Sequence, residues 1–267
     1  MHTPTQHPRT VRLTAAGIAL AAHCEHVLAA LEQAHSSVRA QDEVGGEITI
    51  GCMPSALEVI AAPLAADLIR RYPKLRPRIV EAEPEEAMPL LKQRALDLAV
   101  TYRYRHLGSA IPAGLRAAEL FADDLMMAFP DGLRPAVEHE GLSALRDHSW
   151  ICTPEPSTCR TVALHACHTA GFSPTIEHSY HDLRAGLSLV AAGLGVTILP
   201  RMMCNTLPTG VTAVPLPGIT RTIEALTRTG TETHPTIAAT LTALRGHTGR
   251  YSDLGTLTRN SAGVIPS

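Results

Sequence analysis

From residue 46 onward the chain alternates short apolar segments with amphipathic segments, and this order constrains the fold more than any other feature. Strand-like segments lie at 47–52, 75–83 and 96–100, and helix-like segments at 54–73 and 84–94 separate them. The helix-like segments repeat apolar residues every three or four positions, whereas the strand-like ones are short and apolar. Strands joined through helices in this way form a parallel sheet with helices on its faces.

A second cycle of the same kind follows an apolar region at 115–130. Its predicted strands and helices alternate at 150–153, 157–170, 175–180, 181–193 and 194–199. Strands near 211–216 and 220–228 and a helix near 235–246 come next. Two cycles of similar size predict two subdomains. A ligand is then expected in the crevice between them, beyond the carboxyl ends of the strands.

A long amphipathic helix is predicted ahead of the first strand. Its apolar positions are spaced by four and three residues, as in a coiled-coil seam. The seam consists of Leu20, Cys24, Val27, Leu31, Ala34 and Val38. Thr14 can cap the start of this helix, and Gly45-Gly46 is expected to end it. The favoured interpretation is a dimerisation helix; the alternative is that the stripe packs on the chain's own core.

Composition excludes several classes of protein. Of 267 residues, 45% are hydrophobic and 18% charged, which is typical of a globular chain. The formal net charge of −2 gives no overall attraction to nucleic acid or to an anionic membrane. The six Cys include no CxxC pair, which favours reduced, mostly buried thiols. Residues 1–14 lack the apolar core of a signal peptide, so a cytoplasmic location is expected.

Several segments together resemble the LysR-type transcriptional regulators over nearly the whole chain, from about residue 9 to about residue 245. "RTVRLTAAGIAL" is similar to the wing strand and the start of the linker helix of that family, and "GEITIGCMPS" to the strand that opens its effector domain. "RYPKLRPRIVEAE", "LDLAVTY" and "LVAAGLGVTILP" follow in the family's order. Each motif alone is weak evidence, but five in the right order are specific.

The resemblance implies an α/β fold with two Rossmann-like subdomains of the type 2 periplasmic-binding-protein kind, preceded by a long dimerisation helix. Its expected divisions are a remnant of the wing strand at 1–14, the linker helix at 15–44, subdomain I at 46–124 and 201–247, and subdomain II at 125–200. Residues 248–267 show no usable period, and a loose tail is predicted there. Homodimers or tetramers are implied, with the helices near 56–71 and 182–193 of two copies side by side.

One departure from the family concerns DNA binding. A winged helix-turn-helix should precede the linker helix, yet only eight residues stand before Arg9, and no such motif fits in "MHTPTQHP". The start codon lies further upstream, the gene is truncated, or the sequence is a piece of a longer protein. Arg9 and Arg12 can touch phosphate as part of a wing, which positions a protein without giving specificity. DNA is expected as a partner only if the helix-turn-helix is present upstream.

Four segments are expected to converge on the crevice, by analogy with the family. The candidate effector-binding residues are Met53, Pro54, Ser55, Thr101, Tyr102, Arg103, Thr153, Ser157, Thr158 and His181. Ser55 is expected to cap a helix beginning at Ala56, where free amides suit a carboxylate. Arg103 can form a forked contact with a carboxylate, or it is simply a solvated loop residue. Asp182 is expected to be an N-cap rather than a contact.

This donor set favours a small anionic or carboxylate-bearing effector. Its binding would shift the population between two arrangements of the subdomains. The sequence implies no cofactor.

Two rival functions stay open. An enzyme is disfavoured because the chain has no GxSxG or P-loop motif. Cys159, His165, Cys167 and His168 could suggest zinc, but Cys167 lies off the face that the two histidines share, so no metal or catalytic site is predicted. A secreted solute-binding protein of the same fold is the other alternative. The heptad helix and the missing signal peptide argue against it.

Overall fold

The computed structural model describes residues 14–39, 43–104 and 110–261, without side-chain detail at 18, 22 and 250–261. The α-helices are α1 (Ala15–Val38), α2 (Pro54–Ala56), α3 (Ala62–Arg71), α4 (Pro84–Lys92), α5 (Arg134–Glu140), α6 (Thr158–Thr169), α7 (Leu183–Ala191) and α8 (Pro235–Ser261). A π-helical turn, Leu57–Ala61, makes α2 and α3 one continuous helical segment. Short 3-10 helices lie at Asp131–Leu133, Gly141–Leu145 and Arg201–Asn205. None of these described helices is long and apolar enough to cross a membrane.

The strands are β1 (Gly46–Cys52), β2 (Leu75–Glu81), β3 (Leu98–Arg103), β4 (Leu115–Pro130), β5 (Ser149–Cys152), β6 (Thr175–Ser179), β7 (Thr197–Pro200) and β8 (Val211–Arg228). One sheet has the order β2-β1-β3-β8-β4-β7, and β5 pairs with β6. β1 runs parallel to both β2 and β3, as the predicted β-α-β-α-β order requires. The first cycle is therefore confirmed.

The long antiparallel strands β4 and β8 pass through both halves of the molecule. Their pairing is irregular between Asp124 and Met126. On one side of this irregularity β8 also pairs with β3, and on the other side β4 also pairs with β7. A parallel bridge between Trp150 and Val196 connects the segment before β7 to β5. The irregularity lies next to the expected boundary after residue 124, and the exact subdomain boundaries stay a prediction.

The main apolar core extends through both halves, which explains why the two sets of elements form one body. It includes Leu64 and Leu68 of α3 on one side and Trp150 of β5 on the other, all fully buried. The Trp150 indole donates to the carbonyl of Leu145 at 3.2 Å and packs against Phe172. A buried Trp with a satisfied N–H contributes apolar burial at no polar cost.

The apolar seam predicted on α1 faces solvent. The helix starts as expected, because the Gly17 amide donates to Thr14 Oγ1 at 3.1 Å. Leu20, Val27 and Leu31 keep 64%, 60% and 60% of their side chains exposed. Cys24 and Val38 are also exposed. The interpretation that this stripe packs on the chain's own core is therefore wrong for the described residues.

The polar side of α1 contacts the body of the chain instead. Glu32 is 11% exposed, and its Oε1 lies 2.7 Å from Arg94 Nη2 and 3.4 Å from Arg228 Nε. Nearer the start of the helix, Lys92 Nζ donates to Glu25 Oε1 at 3.1 Å. Gly230 lies so close to α1 that an added Cβ would stand 2.4 Å from the Ala29 carbonyl oxygen. Ion pairs thus hold the helix to the body and leave its apolar seam uncovered.

Three sequence predictions differ from the structure at the element ends. α1 ends at Val38, and residues 40–42 lie outside the described part, so the helix does not reach Gly45-Gly46. β8 is a single strand with an irregularity, where two separate strands near 211–216 and 220–228 were predicted. α8 continues to Ser261, so the expectation of a tail without regular structure from 248 is wrong up to that residue. No proline interrupts this helix after Pro235. Residues 262–267 lie outside the described part.

Gly195 provides a test of the junction between β5 and β7. Its φ is +155°, and an added Cβ would stand 2.3 Å from the Ser149 carbonyl oxygen. We expect Gly195→Ala to lower the free energy of unfolding by about 3 kcal/mol, because a strained backbone meets an immobile strand. Gly193→Ala is the matched control, with φ +75° and open space around its Cβ. It should cost only about 1 kcal/mol. Equal urea midpoints for the two variants would contradict the close approach.

Candidate functional site

The first wall of the crevice is the start of the α2–α3 segment. Met53 occupies the N-cap position, and Pro54 is in the first turn. Ser55 is therefore not the cap, and the prediction of a helix beginning at Ala56 is wrong by two residues. Proline at the first helical position fits because it has no N–H to leave unpaired. The Ser55 hydroxyl, which does not cap the helix, accepts a hydrogen bond from Arg221 Nη2 at 3.0 Å.

Arg221 is the centre of the site, although it was not predicted from the sequence. Its side chain is 1% exposed, and its Nη2 lies 2.8 Å from Asp123 Oδ2. Its Nε donates to the same oxygen at 3.0 Å. The Met202 amide donates to the other oxygen of Asp123 at 3.1 Å. Asp123 and Arg221 are register partners on β4 and β8, so the charge pair lies next to the irregularity between Asp124 and Met126.

Burial decides the electrostatics of this pair. It raises the pKa of Asp123, while the charge of Arg221 and its hydrogen bonds act in the opposite direction. A buried carboxylate without a partner is strongly unfavourable, and removing one member of a buried pair usually costs more than the pair contributes. Each charge of the pair is therefore needed to offset the burial cost of the other.

Tyr102, near the end of β3, covers the guanidinium, and Tyr104, just after the strand, packs against Tyr102. The Tyr102 ring centroid lies 4.8 Å from Arg221 Cζ, a cation–π distance. Tyr104 packs edge-on against Tyr102, with the ring centroids 5.6 Å apart. Both rings are almost fully buried. Burial also raises the pKa of each phenol, so both hydroxyls stay protonated and available as donors.

The opposite wall is the start of α6. Ser157 is the N-cap and accepts from the Arg160 amide at 3.5 Å. Thr153 donates to the Ser157 hydroxyl at 2.7 Å. Thr158 does not share the capping role; it donates to Glu85 of α4 across the crevice. The Cys159 thiol lies 3.6 Å from the Tyr102 hydroxyl, also across the crevice.

Three predicted residues do not join this cluster. Thr101 and Arg103 lie on the face of β3 opposite to Tyr102, because side chains alternate along a strand. Arg103 is not a solvated loop residue: it donates to Glu224 Oε2 through Nη2 at 2.9 Å. His181 is exposed, and its neighbour Asp182 caps α7 by accepting from the Arg184 amide at 2.8 Å, as expected.

The crevice is closed in this structure. Besides the Thr158–Glu85 and Tyr102–Cys159 contacts, Arg184 Nη2 of α7 donates to Glu58 Oε2 of the π-helical turn at 2.8 Å. Two cavities, of about 560 and 310 Å³, lie beside α1 and not in the crevice. Within the described ranges no three His, Cys, Asp or Glu side chains are grouped so that they could hold a metal ion.

The architecture defines the class of protein. Solved structures of the same fold include the reduced form of the regulatory domain of OxyR2 from Vibrio vulnificus, with a TM-score of 0.64 and 18% identity over 77% of this chain and 97% of that one. The effector-binding domain of a BenM variant matches with the same TM-score and 19% identity over 77% and 95%. The chain is thus a two-lobed domain of the type 2 periplasmic-binding-protein fold, as predicted.

The family follows from sequence comparison. The family model described as "LysR substrate binding domain" matches residues 41–249, and the chain belongs to that family. Similar curated proteins are a probable hydrogen peroxide-inducible genes activator of Mycobacterium avium, 27% identical over 72% of this chain and 61% of that protein, and the regulator ShiR of Corynebacterium glutamicum, 30% identical over 71% and 64%. The chain therefore spans less than two thirds of the length of these relatives.

Sequence reasoning missed Arg221 and Asp123 for an identifiable reason. Arg221, Ile223 and Ala225 are every second residue of β8, so they share one face of the strand, and all three are buried. A charged residue on the buried face of an apolar strand is the sequence signal that could have identified the pair. This alternation is visible only when β8 is recognised as one strand that pairs with β4.

The Arg221–Asp123 pair generates a stability prediction. Arg221→Met should lower the free energy of unfolding by about 3–5 kcal/mol, because it leaves Asp123 buried without a counter-charge. Since the pKa of Asp123 then rises further, protonation relieves the loss, and the deficit should shrink as the pH falls. Urea unfolding of the variant and the parent between pH 5 and pH 8 measures this.

The double variant Arg221→Met/Asp123→Asn is the control for the charge. It should be less destabilised than the sum of the two single variants. A pH-independent deficit in Arg221→Met, or strict additivity, would show that Arg221 contributes by packing alone.

Proposed function

We propose that this chain is the effector-sensing part of a LysR-type transcriptional regulator. The observation that carries the proposal is the buried charge cluster of Arg221, Asp123 and Ser55 at the point where both long strands pass between the two lobes. A small metabolite that carries a carboxylate binds between the start of the α2–α3 segment and the start of α6. The curated relatives are transcription regulators, which favours this role over solute transport and over catalysis.

The mechanism is a shift between open and closed arrangements of the lobes. Thr158–Glu85 and Arg184–Glu58 join the two lobes in this structure, and we expect opening of the crevice to break both contacts. An effector that binds the closed arrangement better adds its differential affinity to these contacts. Each hydrogen bond contributes about 1 kcal/mol, so the two contacts favour the closed arrangement without preventing it from opening.

Thr158 provides a test of the crevice. In a thermal-shift screen of small carboxylic acids, a binder should raise the melting temperature in a concentration-dependent way. Thr158→Val should weaken that binder about fivefold, the effect of one lost hydrogen bond of about 1 kcal/mol in the closed state. Thr161→Val, one turn further along α6, is the matched control because Thr161 donates only to the Ser157 carbonyl within the helix. Equal affinities in both variants would place the effector elsewhere.

We propose that α1 forms a homodimer through its exposed seam. The seam is apolar and uncovered, while the opposite side of the helix is already held by Lys92, Arg94 and Arg228. Two such seams can cover each other as in a coiled coil. Tetramers, as in the family, would require a second contact through α3 and α7.

Leu31→Glu tests the dimer. It should weaken association by about 2 kcal/mol or more, because each copy would bury an unpaired carboxylate. Ser37→Glu is the control, since Ser37 is exposed on α1 outside the seam. Sedimentation equilibrium measures both. A dimer of unchanged strength in Leu31→Glu would mean that the seam is not the interface.

Contact with DNA belongs to the proposal only through an upstream helix-turn-helix. Arg9 and Arg12, the expected phosphate contacts, lie outside the described residues. The full-length regulator CbnR complexed with its target DNA has a TM-score of 0.58 with this chain, at 20% identity over 90% of this chain and 82% of that one. A dimer of α1 would place two attached DNA-binding domains near each other. Such regulators work in the cytoplasm.

A thiol-based response to peroxide, suggested by the name of the Mycobacterium avium relative, is less favoured by the chemistry. Peroxide reacts with thiolates. Burial raises the pKa of Cys152 to about 11 and that of Cys52, Cys167 and Cys204 to about 12. Burial likewise raises the pKa of Cys159, which lies in the crevice. These thiols are protonated at neutral pH and react slowly, so metabolite binding is the better supported function.

A further inference from the structure

The larger of the two cavities beside α1, about 560 Å³ in volume, lies between that helix and the body of the chain. Its walls come from α1, from the paired ends of β4 and β8, and from α8 with the turn before it. Ala29, Ala118 and Leu241 form part of the apolar wall. Ala29 lies about 160° around α1 from Leu31 of the exposed seam. Pairing of two copies through that seam would therefore leave the cavity open.

Thr227 of β8 places a buried polar group in the wall of this cavity. The residue is 3% exposed, and its hydroxyl has no hydrogen-bond partner among the described residues. Its backbone is in register with Leu98 of β3 on one side and with Arg116 of β4 on the other, so strand pairing can satisfy only its main chain. A buried hydroxyl without a partner is unfavourable, and a ligand in the cavity would satisfy it.

Two guanidinium groups line the same cavity from different elements. Arg116 is the register partner of Thr227, so the two side chains leave the same face of the sheet next to each other. Arg245 is exposed one turn after Leu241 on the same side of α8, and it forms no ion pair among the described residues. The one acidic side chain in the described wall is Glu232, whose Oε1 lies 3.5 Å from Arg116 Nε. The wall thus carries an excess of positive charge, which attracts an anion.

We infer that this cavity is a second ligand site, for a small carboxylic acid with an apolar body, and that the bound acid holds α1 against the rest of the chain. The carboxylate accepts hydrogen bonds from Arg245 and from the Thr227 hydroxyl, and the hydrocarbon part packs on Ala29 and Leu241. Because one wall belongs to α1, the ligand adds contacts between this helix and the lobe that carries it. The site goes beyond the proposed function and does not depend on it, since none of these residues lines the crevice.

Matched probes test the chemistry of the site. Calorimetric titrations of the full chain compare benzoate, phenylacetate and hexanoate with the uncharged amide of each acid and with inorganic phosphate, an anion that has no apolar body. At least one acid should bind, and its amide and phosphate should bind about tenfold more weakly or worse, because each lacks either the charge or the apolar surface. Failure of every acid would overturn the inference, as would phosphate binding as tightly as the best acid.

Thr227→Val distinguishes a ligand contact from a structural role. It should weaken the best acid about fivefold, because one hydrogen bond to the carboxylate is lost. The urea midpoint of the free chain should stay equal or rise, since a methyl group replaces a buried hydroxyl that has no partner. Thr222→Val is the matched control, because Thr222 lies in the same strand but outside the cavity wall, and its affinity should equal that of the parent. Unchanged affinity in Thr227→Val would remove the hydroxyl from the site and overturn the inference.

Arg245→Gln tests the charge. It should weaken the acids about tenfold and leave the amides unchanged, because only a carboxylate forms a charge-assisted contact. Its urea midpoint should stay near that of the parent, since Arg245 is exposed. Arg76→Gln is the matched control, because Arg76 of β2 is likewise exposed and forms no ion pair among the described residues. An equal loss of affinity in both variants would indicate a general effect of net charge and would contradict the site.

Hydrogen exchange measures the effect on α1. The amides of residues 26–33 should exchange more slowly when the acid is bound, and Arg245→Gln should remove this protection. Binding without added protection of α1 would contradict the inferred role.

Thr158→Val separates this site from the crevice, and it should leave binding at the cavity unchanged. An acid that responds to Thr158→Val but to neither Thr227→Val nor Arg245→Gln binds in the crevice, which would overturn the second site and keep the proposed function. Binding that none of these variants affects would also overturn the second site.

Discussion

The buried charge pair of Arg221 and Asp123 is the constraint on which the rest of the site depends. Neither charge can be left alone at 1% and 4% exposure, so β4 and β8 must stay in register at this point. The guanidinium in turn fixes Ser55, and its flat face fixes the Tyr102 ring. One electrostatic requirement therefore aligns the start of the α2–α3 segment, the end of β3 and both long strands. The two lobes therefore meet at the buried Arg221–Asp123 pair, whose charges require a fixed geometry.

The sequence predicts the elements better than it predicts the site. The strands and helices of the two α/β cycles follow from apolar periodicity, because each has one face on the main core or, for α4, on a second, smaller apolar cluster. Cap and wall residues were also predictable, as Ser157 and Asp182 show, since capping is a local interaction. The Arg221–Asp123 pair is different. Its partners are 98 residues apart, and only the register of a long, irregular strand pair brings them together.

The long helix α1 also shows that local features can be predicted from the sequence, whereas contacts between distant residues cannot. Its heptad spacing predicts the helix and the exposed seam, because both depend on neighbours within a few turns. Its attachment to the body depends on the contacts of Glu25 and Glu32 with Lys92, Arg94 and Arg228, which lie far along the chain. Glutamates on the polar side of an amphipathic helix are usually solvated, so composition alone gave no reason to place them against the body.

The position of these ion pairs indicates how effector binding in the crevice could change the arrangement of the dimer. Among the described residues, Lys92, Arg94 and Arg228 pair with α1 and belong to the lobe that contains β3, so α1 is attached to this lobe. The other lobe, with α6 and α7, is joined to the first by the two long strands, by the main apolar core and by the contacts of Thr158 and Arg184. If two copies pair through α1, closure around an effector leaves the paired helices and their attached lobes in place and swings the distal lobes. The response to the effector would then be a change in the outer surface of the dimer, which a second dimer could sense.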